Sequence, residues 1–265
     1  MICTASVGEA NGRNVILWLA QAPVAEKMQY PDKVTLAIAI PDDSVMVKNY
    51  LMPNVAGSNI DLRLQFEMAQ SLLDESDQFQ FAVVKTGMPD RYLGLISRKT
   101  SIKSLGDKLA IPEESATLPL ARGAALGKGF RKFGKVPGGE LLGVMDITPT
   151  ELSLCLLYRG EVTALGHLKL DEYSLADELS LKRLAMEVKT LVSFKLATLA
   201  EMGLSLPMSS LTVTGEVSDL LLEQLSRYFP SGLARGEVDR SKLGPGLDDS
   251  IRPELFFPAL GLTVI

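Results

Sequence analysis

Apolar residues in the first part of the chain come in short runs separated by turn formers, the pattern of strands with few helices. Asn14-Val15-Ile16-Leu17-Trp18-Leu19 follows the turn signal Asn11-Gly12 and reads as the second strand of a hairpin, with Ile2 to Val7 as the first. Val34 to Ile40 is a continuous apolar run closed by Pro41-Asp42-Asp43, and Val45 to Met52 ends at Pro53; both predict strands. Ile60, Leu62, Leu64, Met68, Leu72 and Leu73 then recur near helical spacing, which predicts a helix of about four turns capped by Ser58 or Asn59. Phe79 to Val84 and Tyr92 to Ile96 predict two more strands, and Thr100-Ser101 opens a short helix to Leu109.

Gly123, Gly127, Gly129, Gly134, Gly138 and Gly139, mixed with Lys128, Arg131, Lys132 and Lys135, interrupt this pattern. They lack the Gly-Lys-Ser/Thr ending that a phosphate loop carries after a strand, and glycine with lysine is also the composition of a solvated linker. A linker is the expectation, dividing a first lobe, 1–135, from a second, 136–265. Leu141 to Ile147, Leu152 to Tyr158 and Val162 to Leu170 then predict a meander, with Arg159-Gly160-Glu161 as the tight turn. Ser174 opens a long helix with Asp177 as capping-box partner; Leu181, Leu184, Val188, Leu191, Leu199 and Met202 mark its buried stripe, and Gly203 ends it. Leu211 to Val213 is a short strand, Thr214-Gly215-Glu216 turns into a helix from Val217 to Tyr228, and the tail around Leu260 is apolar enough to require burial.

Composition narrows the classes. A chain of 265 residues with 46% hydrophobic content buries a sizeable core, and its net charge of -5 supplies no positive field for a nucleic acid. Cys3 and Cys155 stand far apart, so neither a disulfide framework nor a zinc site is suggested, and a reducing compartment fits. Val15 to Ala20 is far shorter than the ~20 residues of a membrane span. His167, the single histidine, lies in an alternating segment and is read as a strand residue rather than a catalytic base.

In the second lobe, three strands, a long helix, a strand, a glycine turn, a helix and an apolar tail follow in order. Within that order stand Gly143-Val144-Met145-Asp146-Ile147-Thr148-Pro149-Thr150-Glu151-Leu152, the Tyr158-Arg159-Gly160-Glu161 turn, Leu184-Ala185-Met186-Glu187-Val188, Thr212-Val213-Thr214-Gly215 and Phe257-Pro258-Ala259-Leu260-Gly261-Leu262. The set resembles the carboxyl-terminal half of the actin-like ATPase superfamily, and most closely the PilM family of type IV pilus assembly proteins, kin to FtsA. Leu36-Ala37-Ile38-Ala39-Ile40-Pro41, the run from Val45 to Pro53 and the helix after it look like the small subdomain inserted in PilM. Similar cytoplasmic domains occur in the type II secretion protein GspL, so pilus and secretion machine both stay open. The resemblance implies an α/β, actin-like ATPase (ribonuclease H-like) fold in two lobes, the first truncated and carrying the inserted subdomain at about 33–100.

Departures from the family pattern bear on function. Such a fold grips a nucleotide between two glycine-bearing hairpins, whose N–H groups approach phosphate closely. Here Thr148 stands in place of the second hairpin's glycine, Pro149 has no N–H, and nothing before Val34 resembles the first hairpin; Val7-Gly8-Glu9 is a poor substitute. Met1 is read as entering the fold after that strand. Gly215 is followed by the anionic Glu216, and the stretch between Leu170 and Leu181 is too short to wall the cleft. Asp146, Thr148, Thr150, Gly215 and Glu216 are therefore expected to form a degenerate nucleotide site, with no catalytic residue, no metal and no cofactor. The alternative is an ATP-binding protein with weak ATPase activity, in which Asp146, Thr150 and Gly215 hold Mg-ATP.

The leading expectation is a cytoplasmic scaffold without direct membrane insertion, held at the inner membrane through the cytoplasmic tail of a PilN-like bitopic membrane protein. Tyr50, Met52, Leu62, Phe66 and Met68 are the candidates to line its groove. A homo-oligomer is the third possibility, from the superfamily's tendency to form filaments.

Overall fold

The computed structural model describes residues 2–10, 13–22, 36–53, 59–72, 76–109, 111, 117–174, 176–230, 232–244 and 252–264. The turn at Asn11-Gly12, the cap at Ser58, Leu73 and the start of the strand from Val34 lie outside the described residues.

Strands β1 (Ile2–Ala10) and β2 (Arg13–Ala22) pair antiparallel as the hairpin pattern requires, with a bulge between Ser6 and Val7. β3 (Leu36–Ile40) leads through a short 3-10 turn, Asp42–Ser44, into β4 (Val45–Leu51). Helix α1 (Ile60–Gln70), one turn shorter than its periodicity suggested, is followed by β5 (Phe79–Lys85), β6 (Arg91–Arg98) and α2 (Lys99–Lys108). β4, β6 and β5 form an antiparallel sheet in that order. Leu64 and Met68 on α1 pack with Met52, Phe79 and Ile96 into a separate small core, which makes this segment a subdomain.

β7 (Thr117–Ala121) pairs parallel with β3 and runs directly into α3 (Arg122–Phe133). This helix overturns the linker reading of its glycines: Gly123, Ala124, Ala125, Leu126, Gly127, Gly129, Phe130 and Phe133 are all buried. The glycines are there for close approach. A Cβ on Gly129 would collide with the carbonyl oxygen of Phe257, and one on Gly261 with that of Ala125. Hence α3 and the short terminal helix α6 (Phe257–Leu262) cross backbone against backbone, with Phe130 and Phe257 edge to face at 5.5 Å.

β8 (Leu141–Ile147), β9 (Glu151–Tyr158) and β10 (Glu161–Lys169) form the expected meander. Helix α4 (Glu178–Glu201) starts four residues later than Ser174, because Asp177 is itself the cap and accepts the Ser180 N–H at 2.7 Å. β11 (Ser210–Gly215) pairs parallel with β8, α5 (Asp219–Ser226) follows the Ser218 cap, and β12 (Leu233–Arg235), which carries no run long enough to predict, pairs parallel with β11. The resulting sheet has the order β10-β9-β8-β11-β12.

Every residue of β8 and β11 is buried, as central strands covered on both faces must be. Alternation assigns the faces: Leu141, Met145 and Ile147 join Leu211 and Val213 under α4 and α5, whereas Leu142 and Val144 face α3. That second core also takes in Ile38 and Ile40 of β3 and Leu93 and Leu95 of β6, so one apolar interior joins the small sheets to the large one. Among the described residues no helix is long and apolar enough to cross a membrane.

Candidate functional site

Two parallel strand pairs, β3/β7 and β8/β11, bring their carboxyl ends together, the place where open α/β sheets collect ligands. Period-two alternation puts Asp146 on the same face of β8 as Leu142 and Val144, beneath the first turn of α3. The pairing register sets Thr214 of β11 directly beside it. The Thr214 hydroxyl donates to Asp146 Oδ1 at 2.8 Å, and the Arg122 guanidinium, on the first residue of α3, pairs with Oδ2. Asp146 is 1% exposed, so both partners act in a nearly dry setting.

Arg122 also reaches Glu151 Oε1 at 3.5 Å, while its Nε is buried without a hydrogen-bond partner. The neighbouring carboxylate is Asp42, in the turn after β3: both its oxygens accept the Gly123 N–H, at 2.9 and 3.1 Å, which caps α3 with a buried anion. Burial raises the Asp42 carboxyl above its ordinary value, outweighing the Gly123 N–H that favours the anion. Burial likewise raises Glu151, against the lowering pull of Arg122. For Arg122, burial alone would favour the neutral form, but the charge and hydrogen bond of Asp146, with Glu151, hold it firmly protonated.

The other nucleotide-site candidates are engaged in local structure. Thr148 closes a tight turn: its N–H donates to the Glu151 carbonyl at 2.9 Å, and its hydroxyl accepts the Glu151 N–H at 3.1 Å. Pro149 and Thr150 are exposed on that turn, and the Thr150 carbonyl accepts the Leu170 N–H at 2.8 Å. Gly215 adopts φ +84°, and a Cβ there would strike the Ile147 carbonyl; the N–H of exposed Glu216 donates to that same oxygen at 2.8 Å. So Asp146 gathers Arg122, Glu151 and Thr214 around it, whereas Thr148, Thr150, Gly215 and Glu216 serve the adjoining turns. Among the described residues, no group of three or more His, Cys, Asp or Glu side chains is placed to hold a metal ion.

Sequence reading missed Arg122, Asp42, Glu151 and Thr214. Arg122 carries no signal in the sequence because its helix has the glycine-lysine composition of a linker, and Asp42 follows Pro41 in a turn pattern. Glu151 and Thr214 were legible in principle, since each lies on the strand face that the pairing turns toward Asp146.

The five partner-groove candidates separate into two sets. Met52 and Met68 are core residues of the subdomain, which corrects their assignment to a surface groove, and Tyr50 is half-buried with its hydroxyl enclosed. Leu62 and Phe66, one helical turn apart on α1, are 68% and 61% exposed. Met46, Val47 and Leu51 are also exposed, on β4, whose only partner among the described residues is β6.

Known folds match this architecture. The chain aligns over 98% of its length with 94% of a chain in the PilM-PilN type IV pilus biogenesis complex, with a TM-score of 0.66 at 14% sequence identity. The chain has the actin-like ATPase fold. Weaker likenesses are to the cytoplasmic domain of EpsL, an inner membrane component of the Vibrio cholerae type II secretion system (TM-score 0.48, 10% identity, 97% of this chain and 88% of that one), and to a Bacteroides thetaiotaomicron protein of actin-like ATPase fold and unknown function (0.49, 9%, 98% and 95%). No family model matches the sequence. No curated protein matches it either. Within this fold β4, α1, β5 and β6 form the small subdomain with its own core, and β8 to β12 form the large sheet.

Proposed function

We propose that the chain is a scaffold of a type IV pilus or related secretion assembly platform, held at the cytoplasmic face of the inner membrane by the tail of a PilN-like membrane protein. The observation that carries this reading is the outward-facing apolar pair Leu62 and Phe66 on α1, in a fold shared with a chain of the PilM-PilN complex. A disordered tail that orders against α1 gains apolar burial from Leu62 and Phe66.

The same reading treats the cleft as a degenerate nucleotide site. Asp146 is already paired with Arg122 and hydrogen-bonded by Thr214, and the Thr148 N–H is taken by the Glu151 carbonyl rather than left for a phosphate. Titrating labelled peptides of PilN-type cytoplasmic tails tests the scaffold role. Saturable binding at micromolar concentration is expected, and none at tens of micromolar protein sinks it. Equilibrium binding of Mg-ATP tests the cleft: millimolar or weaker affinity is expected, and micromolar affinity would reinstate an ATP-binding protein.

A further inference from the structure

The groups around Asp146 come from parts of the chain remote in sequence, yet they meet at one residue. Arg122 begins α3 immediately after β7. Its neighbour Gly123 gives its N–H to Asp42, which follows β3, and its guanidinium crosses to Asp146 on β8 and Glu151 on β9, while Thr214 on β11 holds the other oxygen of Asp146. Apolar burial beneath this point is non-directional and sets distance rather than alignment. Charge-assisted hydrogen bonds from a rigid planar guanidinium set direction.

We propose that Arg122 is the positioning residue of an internal latch, fastening the carboxyl ends of β3, β7, β8 and β11 into one unit so that the two sheets hold a fixed alignment without a bound ligand. The latch concerns the cleft and is independent of which partner occupies the α1 face. It predicts that segments 42–46, 122–125, 146–151 and 214–217 open together, because losing the hub releases all of them at once.

Hydrogen exchange of the whole chain decides it. In Arg122→Gln, exchange is expected to rise about tenfold or more in all these segments, while α1 and β4 to β6 keep their wild-type rates. Arg122→Lys, which retains charge without the fork, should recover part of the protection, as a merely space-filling residue would not. Faster exchange confined to 122–125 and 146–151 would overturn the latch, leaving two unconnected contacts. If Arg122→Gln does not fold, Thr214→Val serves instead, since it removes only the hydroxyl; raised exchange at 42–46 supports the latch and unchanged exchange there overturns it. Protection of these segments in the wild type by Mg-ATP also overturns it, because the alignment would then belong to a ligand. Loss of tail-peptide binding with this exchange pattern intact counts against the scaffold reading alone.

Discussion

The carboxyl ends of β8 and β11 and the outer face of α1 spend their side chains in opposite ways. At the strand ends charged and hydroxyl groups point inward and bind one another, with Asp146 taken up by Arg122 and Thr214. On α1 large apolar side chains point outward, and nothing among the described residues covers Leu62 or Phe66. A buried polar group satisfied from within gains little from a newcomer, whereas exposed apolar area still gains from burial. On the proposed reading, recognition belongs to the α1 face and alignment to the cleft.

The largest effect expected is at the base of the cleft. Gly129→Ala or Gly261→Ala drives a methyl into a backbone carbonyl that neither α3 nor α6 can withdraw, and should cost about 3 kcal/mol or abolish folding, read by denaturant unfolding. Next is Arg122→Ala, which strands the buried Asp146 carboxylate. A loss of about 2 kcal/mol is expected, below the usual figure for a broken buried pair because the Arg122 side chain is 23% exposed. An unchanged midpoint would erase the contrast from the cleft side.

Leu62→Asp and Phe66→Asp sharpen it from the other side. Each should weaken tail-peptide binding about tenfold or more while moving stability by no more than about 0.5 kcal/mol, since no core contact is lost. Equal affinity in both variants would move the partner elsewhere.

The smallest effect is in the pH profile. Asp42 and Glu151 have raised folded-state values, so the folded chain binds more protons than the unfolded one between the ordinary and raised values. Their contribution to stability therefore grows as pH falls from neutral through the raised values, and is lost as pH rises again. Asp42→Asn, which keeps an acceptor for the Gly123 N–H, should flatten that part of a melting-temperature profile; an unchanged slope would mean Asp42 carries no linkage.

Much of the fold was open to reading from residues alone. The hairpin, the meander and the body of α4 follow from apolar periodicity, a local property that neighbours in sequence express without help. The PilM-like order was legible for the same reason, being an order of such elements. Helix α3 was not, because glycine has poor helix propensity and is chosen here for a helix crossing whose other half, α6, lies over a hundred residues away. The inward turn of Asp146 belonged to the sequence, through its parity with Leu142 and Val144.

What met Asp146 was decided only in three dimensions. Arg122 became its partner because β7 pairs with β3 and delivers the start of α3 to the end of β8, and no spacing in the chain encodes that meeting. The sequence by itself determined which elements form and which face of each is apolar. Only the tertiary structure decided that Met52 and Met68 turn into a core while Leu62 and Phe66 stay outside, because burial depends on what packs opposite, and that is a property of the assembled sheets.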